Sequence, residues 1–146
     1  MIRVFLDANV YFAGFHSPQG PSGHLLNLVR RGKMEVFVSR LVLREADRNL
    51  RQKSSKEALK SFRRYLQSVK LRTCPVPDDK MFQPHEGYLH PKDLPILAAA
   101  LQVKSDYLIT LDQKHFLAPQ VLACVTKIKI CTPHDFIRDI YLKGKI

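Results

Sequence analysis

Four acidic residues stand where apolar runs end or where an apolar helix face begins: Asp7 after RVFL, Glu45 within RLVLREADRNL, Asp93 at the head of DLPILAAAL and Asp112 after DYLITL. A carboxylate directly after a hydrophobic strand either caps the following helix or holds a ligand, and Asp7, with Asn9 two positions on, fits both roles. Glu45 lies beside the apolar helix face formed by Leu41, Val42, Ala46 and Leu50, so it needs either an arginine partner or a bound cation. Asp93 precedes Pro95, whose missing N–H confines it to a first helical turn. That puts Asp93 at the N-cap, at the end of the helix that faces the strand ends of a parallel sheet. Asp112 follows an apolar strand at its carboxyl end. Asp106 begins the same strand, belongs to the opposite edge of the sheet, and is excluded from the set.

Four like charges drawn to one side of a sheet raise one another's pKa and oppose folding unless something positive sits among them. Hard divalent ions with oxygen ligands meet that need, and Mg²⁺ or Mn²⁺ suit a site that also meets phosphate. On this reading Asp7 is a metal ligand as well as a cap. The rest of the chain carries the opposite sign: 24 Lys and Arg against 13 Asp and Glu give a net charge of +11. Such an excess attracts polyanions, nucleic acid foremost, although it also serves plain solubility.

These side chains need a scaffold. The 146 residues suffice for one domain, residues 1–146, with its own core. Strands are predicted at Val4–Leu6, Val36–Val38, Leu71–Val76, Tyr107–Thr110 and Lys127–Ile130. Helices are predicted at Ser22–Arg31, Arg40–Arg51, Ser55–Val69, Leu94–Val103 and Pro133–Leu142, and the stretch after Asp7 is helix-forming. Alternating strands and helices imply an α/β three-layer sandwich around a mainly parallel sheet. Thr132-Pro133-His134-Asp135 reads as a capped helix start, and Ser54-Ser55-Lys56-Glu57 as a capping box. The segment from Cys74 to Pro91 carries four of the nine prolines and reads as a long, stiff connection. No apolar run approaches the roughly 20 residues of a membrane span. The first residues are strand-like rather than a signal peptide, and the three cysteines lack metal spacing, so a reducing, cytoplasmic setting with free thiols is expected.

LDANV, the glutamate of SRLVLREADRNL, KDLPILAAAL and DYLITLD, in that order, resemble the four acidic signatures of the PIN-domain family, in particular the VapC-type toxins of toxin–antitoxin modules. The resemblance covers nearly the whole chain. It implies a PIN-like sandwich in which Asp7, Glu45, Asp93 and Asp112 coordinate Mg²⁺ or Mn²⁺, supported by Asn9 and Thr110. It also implies cleavage of single-stranded RNA, a homodimer and a cognate antitoxin protein. The sequence departs from the pattern in its long proline-rich loop and in QKHF after Asp112, where many relatives carry a further acid. That leaves the number of ions open. His115 in this stretch either contacts substrate or is a surface histidine, the second being the simpler reading.

Other residues invite weaker readings. Arg40, Arg44, Arg48 and Arg51 recur at near-helical spacing, as a phosphate-tracking ridge or a solvated face. Phe62 and Tyr65 beside Arg63 and Arg64 suit base stacking, but Phe62 more simply packs with Leu59 and Leu66. His85, Glu86 and His90 match no zinc-ligand spacing. A non-catalytic RNA- or partner-binding module on the same fold would need the basic surface but not all four acids. A phosphatase with an aspartyl nucleophile would want a second acid where Asn9 stands.

Overall fold

The computed structural model describes all 146 residues. Five parallel strands, β1 (Arg3–Leu6), β2 (Glu35–Val38), β3 (Leu71–Thr73), β4 (Tyr107–Ile109) and β5 (Lys129–Cys131), form one sheet in the order β3-β2-β1-β4-β5. Val4, Phe5 and Leu6 are all buried, as are Val36 to Val38, Leu108 and Ile109. Such runs without alternation belong to strands covered on both faces. Helices α1 (Ala8–His16) and α2 (Pro21–Arg30) connect β1 to β2, and α3 (Arg40–Lys53) and α4 (Lys56–Ser68) connect β2 to β3. On the other side of the order, α5 (Leu94–Gln102) leads into β4, α6 (Pro119–Cys124) into β5, and α7 (Pro133–Phe136) follows β5.

The chain moves outward from β1 through β2 to β3, then returns to place β4 on the opposite edge of β1. Right-handed crossovers therefore put the helices before and after this reversal on opposite faces of the sheet. One core cluster of 36 buried residues runs through both layers. The reversal leaves a crevice between the carboxyl ends of β1 and β4, where ligands bind in open α/β sheets. No helix is long and apolar enough to cross a membrane.

Several sequence expectations need adjusting. The third strand stops at Thr73, because Pro75 and Pro77 cannot donate to a ladder. The fifth strand is displaced to Lys129–Cys131, paired with Tyr107–Ile109. The last helix has four α-helical residues and then widens into a π-helical turn at Ile137–Tyr141. Helix α6 was not anticipated: its apolar signal is short, and only Val121 is buried. Ser55, not Ser54, caps α4 by accepting from the Ala58 N–H, so Glu57 closes no reciprocal box. Thr132 caps α7 through the Asp135 N–H as its sequence indicates. The proline-rich segment holds two short 3₁₀ turns, Asp79–Met81 and Gln83–His85, and buries Leu89.

Candidate active site

Asp7 stands one residue beyond β1, and its backbone N–H donates to the Ile109 carbonyl at 3.0 Å, extending the β1–β4 ladder. Its Oδ1 accepts the Ala8 N–H at 2.8 Å, which caps α1. Its Oδ2 accepts the Thr110 hydroxyl at 2.8 Å. Thr110 is fully buried, and its Oγ1 in turn accepts from the Asp112 backbone N–H at 3.1 Å and the Asn9 amide at 3.2 Å. Asn9 closes the link by accepting the Leu111 N–H at 3.0 Å. Asn9 and Thr110 thus lock the ends of the two strands together and fix the positions of Asp7 and Asp112. Burial pushes the Asp7 carboxyl up to about 6; the bonds from Thr110 and Ala8 oppose this, and Glu45 and Asp93 add to it.

Glu45 projects from α3, whose Ser39 cap accepts from the Val42 N–H and whose buried face is Val42, Ala46 and Leu50. It is half-buried beside that face, as its spacing indicates, although Leu41 is 40% exposed and forms the rim of the cleft rather than core. No ion pair forms between Glu45 and any Lys or Arg. The arginine partner that would have given it a purely structural role is absent.

Asp93 occupies the N-cap position of α5 with helical backbone angles, and its side chain makes no capping hydrogen bond. The carboxylate is therefore free to face the cleft. Burial raises its pKa, Asp112 raises it further, and the nearby His115 and His90 oppose that rise. Asp112 accepts the Lys114 and His115 N–H groups on Oδ1 at 3.2 and 3.1 Å, which turns the chain sharply after β4.

Asp7, Glu45, Asp93 and Asp112 line one cleft of about 600 Å³, together with Asn9, Leu41, Arg44, Arg48, Asn49, Lys92 and His115. Asp106, at the other end of β4, instead accepts the Arg3 N–H at 2.8 Å. His115 is the residue the sequence reading misplaced. Its Nδ1 lies 3.1 Å from Asp112 Oδ2 and 3.2 Å from Asp93 Oδ2. Its hydrogen-bonding direction is spent on Asp112, so the buried Asp93 Oδ2 has no hydrogen-bond partner. An orphaned carboxylate oxygen among further oxygen donors fits a divalent ion. Asp93, Asp112 and His115 bring one donor atom each to within 4.8 Å of one another, while Asp7 and Glu45 line the same cleft outside that group. The aspartate–histidine spacing of three across the turn after β4 was the available signal for His115.

The basic residues separate by partner. Arg51 and Arg63 both pair with Asp47, Arg63 through two bonds of 3.0 and 3.1 Å. Arg44 and Arg48 point into the cleft without an ion-pair partner, and Arg40 lies with Arg44 in an adjoining hollow. Phe62 is buried against Tyr11 and Phe15, and the Tyr65 hydroxyl donates to the Leu26 carbonyl, so neither is available to stack a base. His85 bonds Tyr88, Glu86 is exposed, and only His90 comes near the site, its ring 4.9 Å from that of His115. The cysteines are free thiols.

The PIN domain family matches residues 3–114, which span β1 to the turn after β4 and hold all four acids. The chain belongs to the PIN-domain family. No curated protein sequence matches it significantly. Among solved structures, VapBC2 from Rickettsia felis bound to a DNA fragment from its promoter superposes with a TM-score of 0.61 at 15% identity, covering 90% of this chain and 98% of the other. VapC20 from Mycobacterium tuberculosis, a sarcin-ricin loop cleaving toxin, gives 0.56 at 18% identity over 76% and 91%. PAE2754 from Pyrobaculum aerophilum gives 0.60 at 19% identity over 94% and 88%. These likenesses establish the fold.

Proposed function

We propose that the protein is a divalent-metal-dependent endoribonuclease of the VapC toxin type, cleaving single-stranded RNA in the cleft at the carboxyl ends of β1 and β4. The observation that carries this reading is the gathering of Asp7, Glu45, Asp93 and Asp112 from four separate segments, with no lysine or arginine paired to Glu45 and one buried oxygen of Asp93 without a hydrogen bond. Asp93 and Asp112 would hold Mg²⁺ or Mn²⁺, with Asp7 and Glu45 completing the acidic wall. The ion, or a pair of ions, would supply a nucleophilic water at neutral pH and offset the charge of the scissile phosphate.

The remaining residues bind and orient. Asn9 and Thr110 keep the two strand ends in register, so the Asp7 and Asp112 carboxylates hold their separation during turnover. Arg44, Arg48 and Lys92 on the cleft wall are placed to engage phosphates flanking the cut, and the excess positive charge draws the polyanion toward an otherwise repelling acidic pit. A cognate antitoxin, a homodimeric assembly and a cytoplasmic location go with this reading, as the resemblance to VapC-type toxins implies.

The direct test is cleavage of a single-stranded RNA by the purified protein. We expect activity with Mg²⁺ or Mn²⁺, none with EDTA, and none from Asp7→Asn, which removes the charge while keeping the shape and an acceptor for Ala8. RNA binding without cleavage by the metal-loaded wild type would favour the non-catalytic module instead. Full activity in EDTA would sink the metal mechanism.

A further inference from the structure

Resting on the metal-centre reading above, we infer that His115 is a nitrogen ligand of the bound ion, and that it makes this centre select Mn²⁺ over Mg²⁺. Two ligands at right angles on an octahedral ion with bonds of about 2.1 Å stand about 3.0 Å apart. His115 Nδ1 lies 3.1 Å from Asp112 Oδ2 and 3.2 Å from Asp93 Oδ2, which is the spacing of adjacent ligands. Those same two oxygens are the ones that face it, and the Asp93 oxygen has no hydrogen-bond partner. The position is built rather than casual. Asp112 Oδ1 accepts the His115 backbone N–H at 3.1 Å, fixing where the ring starts, and the His90 ring lies 4.9 Å from the His115 ring. The His115 side chain is 41% exposed, so an ion and its waters have access.

The consequence is chemical. Mg²⁺ prefers oxygen ligands and keeps its waters, whereas Mn²⁺, which also takes oxygen, accepts an imidazole nitrogen beside its oxygens more readily than Mg²⁺ does. An all-carboxylate pit would hold the two ions with little distinction. A pit with one imidazole favours the ion that accepts nitrogen.

Calorimetric titration of the RNA-free protein with Mn²⁺ and with Mg²⁺ measures the preference, and electron spin-echo modulation of bound Mn²⁺ reports directly whether a ¹⁴N nucleus is attached. For the wild type we expect Mn²⁺ to bind more tightly than Mg²⁺, with imidazole nitrogen modulation. His115→Gln should lose the nitrogen signal and most of the Mn²⁺ advantage while retaining Mg²⁺ binding, and His90→Gln should retain both features. Were His115 instead an internal counter-charge displaced by the ion, His115→Gln would tighten both ions equally, and that result overturns the assignment. Mn²⁺ binding that is lost in Asp112→Asn but shows no nitrogen coupling in the wild type leaves the nuclease centre standing and removes His115 from it. Absence of divalent binding by the wild type overturns both.

Discussion

Strand β4 has an aspartate near each end, and the two have opposite fates. Asp106 enters the strand, is exposed, and accepts one backbone N–H from Arg3. Asp112 leaves it, is half-buried, and shares a cleft with three other acids and a histidine. Helix α3 repeats the contrast: Asp47 is bound by Arg51 and Arg63 on the outer face, while Glu45, two residues away, has no cation at all. Residue type does not separate these pairs; position relative to the carboxyl ends of the parallel strands does. At one end of the sheet an acid finishes a hydrogen-bond ladder. At the other, four acids are gathered with no lysine or arginine ion pair to any of them, a cost in a marginally stable fold that the proposed function would explain.

The largest expected effect tests the β4 pair. Asp112→Asn should lower RNA cleavage by on the order of 10³-fold, equivalent to the several kcal/mol of charge stabilisation a bound ion supplies. Asp106→Asn should leave the rate unchanged. Equal losses in the two variants would erase the distinction between the sheet's ends.

Asp7 sharpens it next. A carboxyl raised to about 6 by burial binds a proton in the native state that the unfolded chain, at its ordinary 3.8, has already released. Its contribution is therefore complete below about pH 4 and is lost as pH rises through about 6, on the order of 3 kcal/mol in the metal-free protein. Denaturant unfolding in EDTA should show Asp7→Asn more stable than wild type at pH 7 and equal to it near pH 4. A variant no more stable at pH 7 would mean that the native carboxylate is not strained.

The α3 pair comes third. Mn²⁺ should raise the melting temperature of the wild type and of Asp47→Asn alike, because a ligand that binds only the native state stabilises by mass action. The rise should shrink in Glu45→Gln. Asp47→Asn itself should cost no more than about 1 kcal/mol, as surface ion pairs do. An undiminished metal effect in Glu45→Gln would return Glu45 to a structural role.

The smallest effect separates the arginines. Replacing Arg44 and Arg48 by Ala should reduce the slope of log affinity for single-stranded RNA against log salt by about 0.7 per residue, while Arg51→Ala, already paired with Asp47, should change it little. Indistinguishable slopes would assign the ridge to solvation.

Much of this arrangement was legible in the sequence because the same physics shapes both. Buried parallel strands read as unbroken apolar runs, so β1, β2 and β4 were located and with them the ends at which Asp7 and Asp112 sit. Glu45 was placed by the periodicity of Val42, Ala46 and Leu50. The misses are equally physical. Helix α6 buries one side chain and so leaves no periodic trace. Asp93 was placed at the N-cap, where it stands, but that its carboxylate makes no capping bond depends on a backbone angle invisible in residue types. His115 looked like surface because its neighbours Gln113 and Lys114 are exposed; only the hairpin-like turn made by Asp112 brings its ring back over the acids.

The strand order carries a consequence in time. Asp7, Glu45 and Asp93 are all synthesised before Asp112, yet β4 must seat against the free edge of β1 before Thr110 can reach Asp7 and bring Asp112 into the crevice. A chain emerging from the ribosome folds its N-terminal part first, and that part holds three of the four acids with an open sheet edge where the fourth belongs. On the nuclease reading, the growing polypeptide is harmless to the messenger and ribosomal RNA surrounding it until its fourth acid is in place. It becomes a nuclease only once residues 107–112 have left the exit tunnel and closed the sheet.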